Sequence, residues 1–240
     1  MTEVSAVMKR IFIPTRDGAD WQHLLAKPTM HWKKGASAMT AAACWEDAHE
    51  GLPNEIWQLL SKSGVPALQG LSLLAAMPEW AVRLPGGETT SNTDILALCR
   101  NELGLGVLAV EAKVLEDFGP LVGEKRISAS ENQQIRLDFL HRLLRVEHFD
   151  DAIRYQLLHR TASALLTAID FHAATAVMLV HAFDTPADRK IHFTSFCQAM
   201  GASEVAPDLF MVPGFSTPSL YLAWCDGNAK YRDVQLDSRL

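Results

Sequence analysis

The sequence has no long hydrophobic run. Its longest apolar stretch, residues 173–180, includes Thr175 and is followed by His181, and it is far shorter than the roughly 20 residues that a membrane-spanning helix needs. The first ten residues also lack a basic region followed by an apolar core, so no secretory signal peptide is expected. We therefore expect a cytoplasmic protein without a membrane partner.

Cysteine is scarce. The four residues, Cys44, Cys99, Cys197 and Cys225, form no CxxC pair, which argues against a zinc ribbon and a thioredoxin-type redox site. Three of them lie in apolar stretches, where a thiol behaves as a small hydrophobic group. We expect all four to be reduced structural thiols.

Motifs of several large enzyme classes are missing. The chain has no GxxxxGK[ST] phosphate loop, and Gly104-x-Gly106 leads into a predicted strand, whereas a dinucleotide-binding loop opens a helix. A GxSxG elbow fails because Leu74 takes the place of its second glycine. The nine histidines form no HExxH pattern, so zinc catalysis is not expected.

Positive charge is not in excess either. Lys and Arg number 22 against 28 acidic residues, a net charge of −6, which gives no general attraction to a polyanion. Residues 9–34 nevertheless hold six basic residues and two acidic ones. That segment is either an ordinary solvated surface or a local basic surface for nucleic acid.

The 240 residues, 48% of them hydrophobic, are enough for a single domain over residues 1–240. Three short β-compatible runs at 80–84, 93–99 and 107–114 are separated by Gly-rich or polar turns and predict a strand meander. Further strands are predicted at 9–13, 173–183 and 219–224, and helices at 19–27, 37–50, 54–63, 135–144, 151–169 and 191–200. This order predicts an α/β fold, more specifically an α+β mixed sheet.

Charged residues stand out on two of these strands. Asp94 opens the second strand of the meander, and Glu111 and Lys113 lie on the third. Residues i and i+2 project from the same face of a strand, so Glu111 and Lys113 point together from an apolar segment. Antiparallel pairing of the two strands would bring Asp94 close to Glu111.

Two carboxylates and a backbone carbonyl offer the hard oxygen ligands that Mg²⁺ takes. A lysine beside them can orient or deprotonate a water, which completes the parts needed for metal-assisted phosphodiester hydrolysis. A structural ion pair is the alternative interpretation of Glu111 and Lys113. For Asp94 the alternative is a strand-start residue that bonds its own backbone.

Asp94, the Glu111-x-Lys113 triplet and the predicted order helix–strand–strand–strand–helix–strand resemble the PD-(D/E)XK nuclease superfamily over about residues 36–183. Three further stretches, at 86–96, 110–119 and 155–160, resemble a bacterial family without an established activity. The resemblance implies a restriction-endonuclease-like core, with an N-terminal helical addition at 1–35 and a C-terminal helix and strand at 184–240.

The resemblance also implies roles for individual residues. Asp94, Glu111 and the carbonyl of Ala112 would hold Mg²⁺ or Mn²⁺, and Lys113 would be catalytic. Glu46, which shares a helix face with Met39, Ala42 and Ala43, would be an accessory metal ligand. An ordinary helix-end carboxylate is the alternative for Glu46.

One predicted helix carries a narrow polar stripe on an apolar body. At about 100° per residue, the stripe contains Gln156, His159, Arg160, Ser163 and Thr167, and it faces either water or a lined cavity. By the same resemblance Gln156 would be catalytic. If the stripe faces a cavity, His159 and Arg160 are placed on it to bind substrate phosphates.

The sequence therefore predicts a Mg²⁺-dependent nuclease with nucleic acid as its partner, and a homodimer would suit a double-strand cutter. The alternative is a catalytically inactive binding or scaffold protein that keeps the fold. Its support is the acidic net charge and the lack of a helix-turn-helix or zinc-finger motif.

Overall fold

The computed structural model describes residues 15–127 and 129–240, so the predicted strand at 9–13 lies outside the described residues. These residues form one seven-stranded sheet in the order β1-β2-β3-β4-β7-β6-β5, with helices on both faces. Within the described part of the chain, no helix combines the length and the apolar character needed to cross a membrane.

The sheet is mixed. β1 (Ser72–Arg83), β2 (Thr90–Asn101) and β3 (Gly104–Lys113) form an antiparallel meander, as predicted. β4 (Thr175–Ala182) pairs parallel to β3, and β7 (Ser219–Asp226) pairs parallel to β4. The antiparallel strands β6 (Leu209–Val212) and β5 (Ser203–Ala206) complete the sheet. Every residue of β4 is buried, because parallel strands are covered on both faces.

The helices lie before, between and after the strands. α1 (Pro28–His31), α2 (Ser37–Asp47) and α3 (Asn54–Ser61) precede the sheet, and 3₁₀ helices span Gly18–Leu24 and Ala229–Asp233. Between β3 and β4 lie α4 (Val122–Ile127), α5 (Glu131–Leu144) and α6 (Tyr155–Asp170), and α7 (Ala187–Ala199) follows β4. Ser130 caps the N-terminus of α5 through a reciprocal capping box with Gln133.

Alternation along the strands divides the core into two layers. On β2, Ile95 packs toward α2 and α3, whereas Leu96 packs toward α6 and α7. On β3, Ala112 belongs to the α2 layer. Glu111 and Lys113 therefore project to the opposite face, toward α6, because successive side chains of a strand alternate between faces.

Several predicted boundaries are wrong. β1 begins at Ser72, eight residues before the predicted start, because its first half is rich in Leu and Ala, lacks alternation and contains Pro78, which an edge strand tolerates. The predicted helix at 19–27 is instead a 3₁₀ helix followed by α1. The C-terminal region contains the β5–β6 hairpin in addition to the predicted helix and strand.

Candidate functional site

The charged residues predicted on β2 and β3 come together at one end of the meander. The β2–β3 ladder runs to the pair Ile95–Val110, and Asp94 and Glu111 are the next residues on the two strands. The backbone N–H of Ala112 donates to Oδ2 of Asp94 at 2.8 Å. The Asp94 carboxylate thus lies against the β3 backbone beside Glu111.

Glu111 is the centre of this cluster and is only 3% exposed. Its Oε1 accepts hydrogen bonds from Nζ of Lys113 at 2.6 Å and from Nε2 of Gln156 at 2.7 Å. Its Oε2 accepts from Nε of Arg160. Burial alone would raise the pKa of Glu111, but Arg160 and Lys113 outweigh it and hold that pKa below its ordinary value.

A third carboxylate, which the sequence did not predict, belongs to Glu79 on β1. Pro78 pairs with Ile95, so Glu79 and Asp94 are the next residues on those two strands. Glu79 has a φ of +53°, in the left-handed region that non-glycine residues rarely adopt. An acidic residue inside an apolar strand was the available signal, and it was missed because the strand was predicted to begin one residue later.

Glu79 and Asp94 differ from Glu111 in their protonation. Burial, followed by the nearby charge of Asp94, raises the pKa of Glu79 to about 8. Burial, followed by the charge of Glu111, raises the pKa of Asp94 to about 7. With all three carboxylates ionised, their charge of −3 exceeds the +2 of Lys113 and Arg160, and this excess is what a further cation would compensate.

These groups line a cavity of about 450 Å³ between the meander, α6 and the segment that leads into α2. Its polar lining comprises His31, Ser37, Glu79, Asn92, Asp94, Glu111, Lys113, Glu116, Gln156 and Arg160. Glu116 accepts from the backbone N–H groups of Ser37 and Val114 at 2.9 and 3.0 Å. It therefore fastens the start of α2 to the end of β3.

The polar stripe of α6 faces this site. Besides Gln156 and Arg160, it contributes Ser163, whose Oγ lies 2.9 Å from Oγ of Ser91 on β2. The same Ser91 Oγ accepts from Nη1 of Arg160 at 3.1 Å and lies 2.8 Å from Nδ1 of His159. Ser91 therefore positions Arg160 from the strand side.

The structure places the two predicted phosphate-binding residues in other interactions. Burial, followed by the charge of Arg160, lowers the pKa of His159 to about 3, so His159 is neutral and carries no charge for a phosphate. Arg160 is directed to Glu111 and Ser91 and is 9% exposed. The main interaction of Arg160 is therefore the ion pair that neutralises Glu111.

Glu46 is the predicted ligand that the structure places elsewhere. Its carboxylate accepts from Nε1 of Trp21 at 2.8 Å and from Oγ1 of Thr15 at 3.0 Å, and it lines a different cavity. The start of α2 borders the site, but Glu46 lies nine residues beyond Ser37, about 13 Å along the helix. β1, rather than α2, contributes the third carboxylate.

Comparison with protein families assigns most of the chain to a family. The family model described as "Domain of unknown function (DUF6946)" matches residues 14–229. Neither a curated protein nor a solved structure matches the chain.

Proposed function

The chain belongs to the DUF6946 family, and we propose that it is a divalent-metal-dependent nuclease with a restriction-endonuclease-like core. The observation that carries this proposal is the cluster of three carboxylates from adjacent strands beside Lys113 and Gln156. The order α3-β1-β2-β3-α6-β4, with α4 and α5 inserted between β3 and α6, supports such a core.

The donor set fits a hard cation. Asp94, Glu79 and Glu111 offer carboxylate oxygens, and Mg²⁺ or Mn²⁺ prefers such ligands. The N–H of Ala112 faces Asp94, and the carbonyl of a strand residue points to the same side as its N–H, so Ala112 adds a fourth oxygen. A bound Mg²⁺ would supply Lewis-acid stabilisation of the phosphate charge.

The protein's own groups have separate tasks in this proposal. Lys113, held on Oε1 of Glu111, is the group placed to orient a water or to stabilise charge on a phosphate. Gln156 fixes the same carboxylate oxygen from α6. Asp94 and Glu79 bind the cation, and its charge would lower the raised pKa values of both.

One observation favours the alternative of a non-catalytic binding or scaffold protein. Both oxygens of Glu111 already accept hydrogen bonds from buried cations, Lys113 and Arg160. Glu111 is therefore neutralised by the protein itself, and the fold does not depend on a metal at that carboxylate.

Metal binding separates the two functions. We expect saturating Mn²⁺ to raise the Tm of the wild type by about 5–10 °C at 100 times Kd, and Asp94→Asn or Glu79→Gln to abolish most of the shift. Glu46→Gln, which changes a carboxylate in another cavity, is the matched control and should keep it. An unchanged Tm in the wild type, or equal shifts in all variants, would contradict the metal site.

Activity is measured on plasmid DNA and on RNA with Mg²⁺ or Mn²⁺. Lys113→Met should reduce cleavage by about 10²–10⁴-fold while Glu111 keeps Arg160 as a partner. Inertness of the wild type toward both nucleic acids, together with an unchanged Tm, would support the scaffold alternative. Sedimentation of the same preparation tests the proposed homodimer.

A further inference from the structure

A second polar cluster lies on the opposite face of the sheet. Cys44 of α2, Glu55 of α3 and His181 of β4 bring one thiol, one carboxylate oxygen and one imidazole nitrogen within 4.8 Å of one another. Cys44 and His181 are buried, and His181 has no exposed surface. Because these residues are 11 and 126 positions apart in the chain, no short sequence motif marks the cluster.

The distances are those of a metal's coordination shell. Oε1 of Glu55 lies 3.1 Å from Nε2 of His181 and 3.7 Å from Sγ of Cys44. With Zn²⁺ bond lengths of about 2.1 Å to oxygen and nitrogen and about 2.3 Å to sulfur, tetrahedral ligands are separated by about 3.4 Å and about 3.6 Å respectively. The two distances from Glu55 are therefore close to the tetrahedral values, and the thiol and the imidazole nitrogen lie within 4.8 Å of each other.

A further feature keeps space beside the imidazole. A Cβ on Gly227 would lie 2.8 Å from Nε2 of His181 and 2.6 Å from the Phe183 ring, so only glycine leaves room beside the coordinating nitrogen.

The chemistry of the three donors selects the ion. A thiolate and an imidazole suit Zn²⁺ rather than Mg²⁺. With Glu55 ionised and Cys44 deprotonated, the two negative charges would balance a divalent ion in a buried site.

We propose that Cys44, Glu55 and His181 form a binding site for Zn²⁺ that ties α2 and α3 to β4. The site is independent of the proposed nuclease function, because it uses different residues on the other face of the sheet.

The test is a Zn²⁺ titration of the chelator-treated, full-length protein against a chromophoric chelator. We expect one equivalent to bind, and we expect Cys44→Ala and His181→Gln each to weaken it by more than about 100-fold, since loss of an outer-shell partner alone costs about 10–100-fold. Cys197→Ala removes a buried thiol on the other face and is the matched control. Asp94→Asn should also bind Zn²⁺ normally, which separates this site from the nuclease proposal.

The wild type alone provides a measurement that does not depend on variants folding. Co²⁺ in this site should give a thiolate charge-transfer absorption, which Cys197→Ala keeps and Cys44→Ala loses. Absence of that absorption in the wild type, or Zn²⁺ affinity equal in the wild type, Cys44→Ala and His181→Gln, would overturn the proposal.

Discussion

Two polar clusters lie on opposite faces of the same sheet, at nearly the same position along its strands. Ala112, His181 and Cys225 form one row across β3, β4 and β7, and Glu111 is one residue before Ala112. Toward α6 lies the acidic cluster of Glu79, Asp94, Glu111, Lys113, Gln156 and Arg160. Toward α2 and α3 lies the thiol–imidazole cluster of Cys44, Glu55 and His181.

The two clusters differ in how their charge is compensated. The acidic cluster contains two buried cations, and its three carboxylates respond differently: the pKa of Glu111 is lowered, and those of Asp94 and Glu79 are raised. The thiol–imidazole cluster holds one carboxylate. Burial would raise its pKa, but the hydrogen bond with His181 and those with the backbone lower it to about 2.

This difference follows from strand alternation and from the ligands each layer supplies. Glu111 and Ala112 are consecutive residues of β3, and their side chains point to opposite faces of the sheet. The same end of the strands can therefore support two different sites, one on each face. The acidic cluster depends on charge pairs, whereas the thiol–imidazole cluster depends on fit and on hydrogen bonds.

Glu111→Ala should have the largest effect on stability. The substitution leaves Lys113 and Arg160 buried without their carboxylate, and loss of one partner from such a group costs about 3–5 kcal/mol. Urea unfolding at pH 7 measures this free energy. Glu55→Ala is the comparison from the other face and should cost less, because its partners His181 and Cys44 are neutral. Equal costs for the two variants would remove the contrast.

Gly227→Ala should have the next largest effect on stability. The added Cβ would meet the Phe183 ring at 2.6 Å and His181 at 2.8 Å, and overpacking of this kind typically costs about 1–3 kcal/mol. The expected result is a lower Tm by differential scanning calorimetry. Gly51→Ala is the matched control, because no heavy atom lies within 4 Å of its added Cβ. A Tm for Gly227→Ala equal to that of the wild type would argue against a tightly fitted imidazole.

The pH dependence of stability should distinguish the acidic cluster. The raised pKa values of Asp94 and Glu79, about 7 and about 8, mean that the folded state binds more protons than the unfolded state from about pH 4 to pH 8. The contribution of these two groups to the free energy of unfolding is therefore fully present below about pH 4 and is lost as the pH rises to about 8. The double variant Asp94→Asn/Glu79→Gln lacks these two titrating groups and should not show this loss. Its free energy of unfolding relative to that of the wild type should therefore be about 1–2 kcal/mol higher at pH 8 than at pH 5, after allowance for solvent screening.

Urea unfolding of both proteins at the two pH values gives this difference. The comparison with the wild type cancels the titration of groups outside the cluster. A double variant that is destabilised more at pH 8 than at pH 5 would reverse the predicted sign and show that the two carboxylates are well compensated.

The contrast also explains how much could be predicted from the sequence. Alternation on β3 was enough to place Glu111 and Lys113 on one face, and the meander placed Asp94 beside them. Glu79 was not predicted because the first half of β1 contains Pro78 and a run of Leu and Ala residues, and so lacks the alternation that indicates a strand. The thiol–imidazole cluster was missed for another reason: Cys44, Glu55 and His181 meet only through packing of α2 and α3 on the sheet, which no local spacing encodes.

Ser91→Ala should have the smallest effect and separates positioning from neutralisation within the acidic cluster. Ser91 Oγ accepts from Arg160 at 3.1 Å and contacts Ser163 at 2.9 Å, but Glu111 keeps both of its cationic partners without it. Loss of one such neutral hydroxyl typically costs about 1 kcal/mol, measured by urea unfolding with the exposed Ser72→Ala as control. A loss as large as that of Glu111→Ala would mean that Arg160 reaches Glu111 only when Ser91 holds it, and that neutralisation of the acidic cluster depends on the hydroxyl network of β2 and α6.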